Sequence, residues 1–180
     1  MKNEIKYNSC WYNRLQSAIY FLAFLTYGIG DSLTSLWMSE QYGIIREANP
    51  ILRYIILNFS PSTYLEFKIS LTLVILLAIF FIQINSKEPV YWTVNGCLIS
   101  FVITGTLATV LNIRAGRNEA VFLSPEQVIF LFLILVFLLT SIGEEIDKRT
   151  QPIIKPFIDC LSNDIRTILA LIINLFKKKS

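Results

Sequence analysis

Apolar residues fall into four long runs separated by short polar stretches. The first extends from about Leu15 to Met38, the second from about Tyr64 to Ile84, the third from about Val90 to Ile113, and the fourth from Pro125 to Ile142. Each approaches or exceeds the roughly 20 apolar residues that a helix needs to cross a bilayer. No A-x-A pattern follows the first run, so it reads as a retained span and not as a cleaved signal. The fourth opens on Ser124-Pro125-Glu126-Gln127. Ser124 suits the N-cap, Pro125 the first helical position, and Gln127 closes a capping box. Gly143, followed by Glu144 and Glu145, is expected to end that helix.

The pattern changes after Pro152. Ile154, Phe157, Ile158, Leu161, Ile165, Ile168, Leu169, Ile172 and Phe176 recur at three and four residues, with polar side chains between them. This predicts an amphipathic helix lying in the membrane interface, with Lys177, Lys178 and Lys179 on anionic headgroups. Packing of its apolar face on the bundle or on a partner protein is the equal alternative. The expected fold is therefore all-α: a polytopic membrane bundle of four transmembrane helices plus a C-terminal amphipathic interfacial helix. Residues 1–14 form an N-terminal arm, 15–143 the transmembrane domain and 144–180 the tail.

Composition agrees with this pattern. Of the 180 residues, 54% are hydrophobic and 16% charged, against about 25% charged in soluble domains. The mean hydropathy is +0.55. There is no histidine, which removes imidazole bases and ligands. Cys10, Cys97 and Cys160 lie far apart, so neither a zinc site nor a disulfide framework is implied. No phosphate-cradling glycine motif is present, and the net charge of +3 is too scattered for nucleic acid. No cofactor is implied.

Lys and Arg placement sets the orientation. Lys2, Lys6, Arg14, Lys87, Lys148, Arg149, Lys155, Arg166 and Lys177 to Lys179 make eleven on one side. Arg46, Arg53, Lys68, Arg114 and Arg117 make five on the other. The heavier side is expected to be cytoplasmic, which puts both termini in the cytoplasm. Within the third run, Gly96, Ser100, Thr104, Ala108 and Asn112 recur every four residues. Small side chains let helices approach closely in lipid, so the third helix is expected at the centre. The fourth, nearly all Phe, Leu, Ile and Val, is expected to face lipid.

On this topology Asp31, Thr34, Glu47, Asn49, Lys68, Asn112 and Arg114 belong to one membrane depth at the outward end, although they come from four segments. A carboxylate within a span costs about 2.5–3.5 kcal/mol on insertion scales unless it is paired or hydrated. Two readings follow. Asp31 and Lys68 form an ion pair that fixes helix register, with Asn49-Pro50 starting a turn or re-entrant helix. Alternatively the cluster binds a cation or a lipid headgroup, or uses Asp31 and Glu47 as acid and base in hydrolysis.

At these residues the chain resembles a family of small, largely archaeal membrane proteins of three to four helices. The shared pattern is an Asp with hydroxyl residues near the end of the first helix, a Gly, Glu-x-Asn-Pro, a Lys early in the next helix and an Asn ending the third. It is matched here by Asp31-Ser32-Leu33-Thr34-Ser35, Gly43, Glu47-Ala48-Asn49-Pro50, Lys68 and Asn112. Ser35 stands where Thr is more frequent, and Ile113 where a second Asn is common. The resemblance spans roughly residues 20 to 115 and brings no reaction or ligand with it.

Small size, short loops and the amphipathic tail suggest a non-catalytic subunit or stabilising partner of a larger membrane assembly, or a homo-oligomer. The polar cluster suggests an intramembrane ligand-binding or catalytic protein, which leaves enzymatic activity open. A transporter is a weaker third reading. Membrane-impermeant thiol labelling of single-cysteine variants tests the orientation: Arg117→Cys should react in intact cells and Ser180→Cys only after lysis.

Overall fold

The computed structural model describes residues 2–43 and 50–150. Among the described residues every regular element is helical: α1 (Lys2–Ala23), a π-helical turn (Phe24–Gly30), α2 (Asp31–Tyr42), α3 (Pro50–Asn58), α4 (Pro61–Asn85), α5 (Tyr91–Gly116) and α6 (Pro125–Arg149). Four stretches are long and apolar enough to cross a membrane: Trp11–Gln41, Pro61–Asn85, Tyr91–Gly116 and Pro125–Arg149. They correspond to the four expected runs. The expected amphipathic tail helix and Lys177, Lys178 and Lys179 lie outside the described residues.

The helix starts follow local chemistry. Ser124 accepts from the Gln127 amide, and the Gln127 side chain accepts from the Ser124 amide, so the expected capping box is complete. The same Ser-Pro start recurs at Ser60-Pro61, where Ser60 Oγ accepts from the Thr63 amide at 3.2 Å. α5 has no such residue, since Val90 at its N-cap makes no side-chain cap. A distant carboxylate does the work. Asp147, buried on α6, accepts from the amides of Trp92 at 2.9 Å and Thr93 at 2.8 Å, and from the Thr93 hydroxyl. These are the second and third residues of α5, whose amides otherwise have no partner within the helix.

That contact depends on a helix the sequence reading ended too early. Gly143 does not stop the last span, which continues to Arg149. A Cβ at Gly143 would collide with the Trp92 carbonyl, and one at Gly96 with the Leu139 carbonyl. The two glycines bring α5 and α6 into backbone contact, and Gly143 serves that packing instead of a C-cap.

As expected, α5 is central. It packs against α1, the π turn, α2 and α6, and 39% of its most apolar window is buried, against 6% for α6. The core joins Ala23, Leu76, Val94, Leu98 and Phe101. A smaller cluster of Leu36, Ile55 and Tyr64 seats α3 beside α2 and α4.

The first span is not a continuous α-helix. Its π turn includes a bond from the Asp31 amide to the Thr26 carbonyl, five residues back. Three hydroxyls tie to carbonyls one turn earlier: Thr26 to Leu22, Ser32 to Gly28 and Thr34 to Gly30. Here α5 meets the backbone of the first span, because a Cβ at Gly105 would lie 2.6 Å from the Tyr27 nitrogen. Such turns break the 3.6-residue phase of a helix and recur at functional sites.

Asp147→Ala should lower stability by about 2 kcal/mol, because it leaves two part-buried helix-start amides without acceptors. Thermal unfolding in one fixed detergent measures this, with Glu145→Ala as the exposed control.

Candidate functional site

Four of the seven expected residues meet. Asp31, the first residue of α2, pairs its Oδ2 with Lys68 Nζ of α4 at 2.9 Å. Asn112, in the last turns of α5, donates through Nδ2 to Asp31 Oδ1 at 2.9 Å and to Thr34 Oγ1 at 3.3 Å. Thr34 Oγ1 in turn donates to the Gly30 carbonyl at 2.7 Å, which fixes it as the acceptor for Asn112. Three helices are thus joined through one carboxylate. The Lys68 and Asp31 side chains are only 13% and 14% exposed.

Tyr64 and Ser35 extend the group. Tyr64 is fully buried, donates to Ser35 Oγ at 2.8 Å and accepts from Lys68 Nζ at 3.3 Å. Lys68 lies one turn beyond Tyr64 on α4, so both face α2. Sequence reasoning used Tyr64 only to mark the start of a span. Its signal was the pairing of a tyrosine with a lysine four residues on, at a depth where a hydroxyl needs a partner.

Arg114 is placed elsewhere. Its Nε lies 3.5 Å from Glu119 Oε2, and its guanidinium lies over the Phe122 ring at 5.6 Å, so it braces the connection from α5 to α6. Glu47 and Asn49 lie outside the described residues, and α3 begins at Pro50. Tyr27 turns its ring to Phe101, edge-on at 5.0 Å, and to Phe132, stacked at 6.2 Å.

The polar group forms one wall of a cleft of about 800 Å³. Asp31, Ser35 and Met38 from α2, Lys68 from α4, and Thr104, Ala108 and Asn112 from α5 line that side. Residues 121–125 and 127–129, with Phe132, line the other. Tyr27, Thr104 and Phe132 lie at the inner end, where the aromatic cluster with Phe101 adjoins the core. This volume is within the usual range for small-molecule sites, which combine mostly apolar walls with a few convergent polar groups. Among the described residues no group of three or more Cys, Asp or Glu side chains gathers to hold a metal ion.

A second polar cluster, absent from the sequence reading, occupies the opposite end of the bundle. Tyr20 donates to Gln83 at 3.3 Å, Gln83 to Gln16 at 2.7 Å and Gln16 to Asn95 at 3.1 Å. Gln16, Gln83 and Asn95 are all buried. Each is an amide side chain near the end of an apolar run, and that placement was the available signal. Uncharged amides within a span serve as interhelical links.

Fold and site together define a small helical membrane protein with a partly polar cleft near one end of its bundle. A family model for DUF5658, a domain of unknown function, matches residues 22–116. That stretch is more than half of the chain, and the chain belongs to this family. It takes in the π turn, Asp31, Thr34, Lys68 and Asn112. No curated protein and no solved structure matches.

Lys68→Met leaves the Asp31 carboxylate without its cation at low exposure, so it should cost about 3 kcal/mol. Adding Asp31→Asn to that variant should recover part of the loss. A double-mutant cycle on thermal or denaturant unfolding measures the coupling.

Proposed function

We propose that this protein is an integral membrane binding protein that holds a small molecule in the cleft between α2 and α6, against Asp31, Lys68 and Asn112. The observation that carries this reading is the position of the ion pair. A pair needed only for helix register could be sealed between helices, whereas this one forms the wall of an 800 Å³ cleft. Ionisable groups at membrane depth are costly and commonly functional.

Binding is favoured over hydrolysis. Acid–base chemistry needs two carboxylates in different protonation states, and Asp31 is committed to Lys68 and Asn112. The subunit reading rests on size, short loops and the tail pattern. The charge bias supports cytoplasmic termini, and the Lys177–Lys179 cluster supports a tail on anionic lipid.

Native mass spectrometry of protein taken from its own membranes in mild detergent tests the proposal. The wild type should carry a non-covalent mass, and Ala108→Trp, which fills the cleft, should lose it without losing thermal stability. An empty wild type, or equal retention by the variant, overturns the reading.

A further inference from the structure

We infer that the ligand of this cleft is a single-chain amphiphile from the bilayer, seated with its polar head at Asp31, Lys68 and Asn112 and its chain along α6. The inference rests on the binding reading above and adds the class of molecule and the side from which it enters.

Three observations carry it. First, the two walls differ in chemistry. Hydrogen-bonding groups come from α2, α4 and α5, whereas Val121, Phe122, Leu123, Val128, Ile129 and Phe132 make the other wall apolar. Ser124 and Gln127 are the polar residues of that second wall, and they are engaged with each other in the capping box. A compact polar solute would leave one wall unsatisfied, and a pure hydrocarbon would leave the other.

Second, the dimensions suit one leaflet. Along α5 the cleft runs from Ala115 at its rim to Thr104 at its floor. Three helical turns separate them, about 16 Å, close to half the ~30 Å hydrocarbon thickness. Asn112 lies one turn from the rim and two turns from the floor. A head held there has room beneath it for a chain.

Third, the cleft has a side toward lipid. α2 and α6 flank it, each packed on α5. On the α6 side, Phe122 and Ile129 are 57% and 58% exposed. An amphiphile can reach the polar wall from within the leaflet, keeping its chain in an apolar setting throughout.

Photolabelling of the full chain in phosphatidylcholine vesicles tests the inference, using a monoacylglycerol with a diazirine near its chain end. Tyr27 and the almost fully buried Thr104 (2% exposed) report the cleft floor, and the exposed Val74 and Phe137 report ordinary lipid contact. Labelling at Thr104 and Tyr27 should be several-fold above that at Val74 and Phe137. Ala108→Trp, or the milder Ala108→Leu, should reduce floor labelling at least fivefold and leave Val74 and Phe137 unchanged, with an unchanged thermal unfolding midpoint as the check that the variant is folded. Labelling confined to Val74 and Phe137, or floor labelling that survives both variants, overturns the inference. If native mass spectrometry then shows a chainless polar solute in the wild type, the binding reading stands and the amphiphile is wrong. If it shows no retained mass, both fall.

Discussion

The structure depends on how closely other backbones approach α5. Without a hydrophobic force between helices in lipid, association rests on dispersion and on hydrogen bonds, and both need proximity. At Gly96 and Gly143 the missing side chains let α5 and α6 meet at their carbonyls, and at Gly105 the backbone of the first span reaches α5. These contacts set the spacing that the polar groups require. The 2.9 Å bond from Asn112 to Asp31 exists because Gly105, two turns earlier on α5, holds that helix against the π turn. The capping of α5 by Asp147 exists because Gly143, one turn earlier on α6, brings the two helices together.

The two ends of the bundle use polarity differently. Gln16, Gln83 and Asn95 link α1, α4 and α5 through neutral amides, which carry no charge to desolvate. The other end accepts a desolvated ion pair and sets it in the wall of an open cleft. A bundle that needed only cohesion could use amides at both ends. At the amide end the buried carboxylate of Asp147 is engaged in capping α5, whereas the Asp31–Lys68 pair stands in the wall of a cleft, and the binding reading rests on that setting.

Much of this was legible in the sequence. The four spans came from run length, the start of α6 from Ser124 and Gln127, and the centrality of α5 from its four-residue stripe of small side chains. Asp31, Thr34, Lys68 and Asn112 were placed at one depth by counting along helices. Their meeting in the membrane plane was not legible, because depth fixes one coordinate and helix packing fixes the other two. Gly143 was misread because a glycine after an apolar run signals a helix end as readily as a close crossing, and only the neighbouring helix decides between them. Asp147 was passed over as one more charge beyond the last span, since its partners lie more than fifty residues away. The π turn had a weak signal in Gly28 and Gly30, and nothing in the apolar run distinguished it from regular α-helix.

The π turn has a consequence for how this family can vary. A wider turn accommodates more residues than the α-helix it interrupts, so the orientation of α2 relative to α1 is set by the number of residues between Ala23 and Asp31 more than by their identities. Regularising this segment to α-helix without removing a residue would turn everything beyond by about 100°. Asp31 would swing away from Lys68 and Asn112 while every side chain named in the cleft stayed in the sequence. The wide turn and the residue count therefore go together: a relative one residue shorter here keeps Asp31 in place only with a regular α-helix.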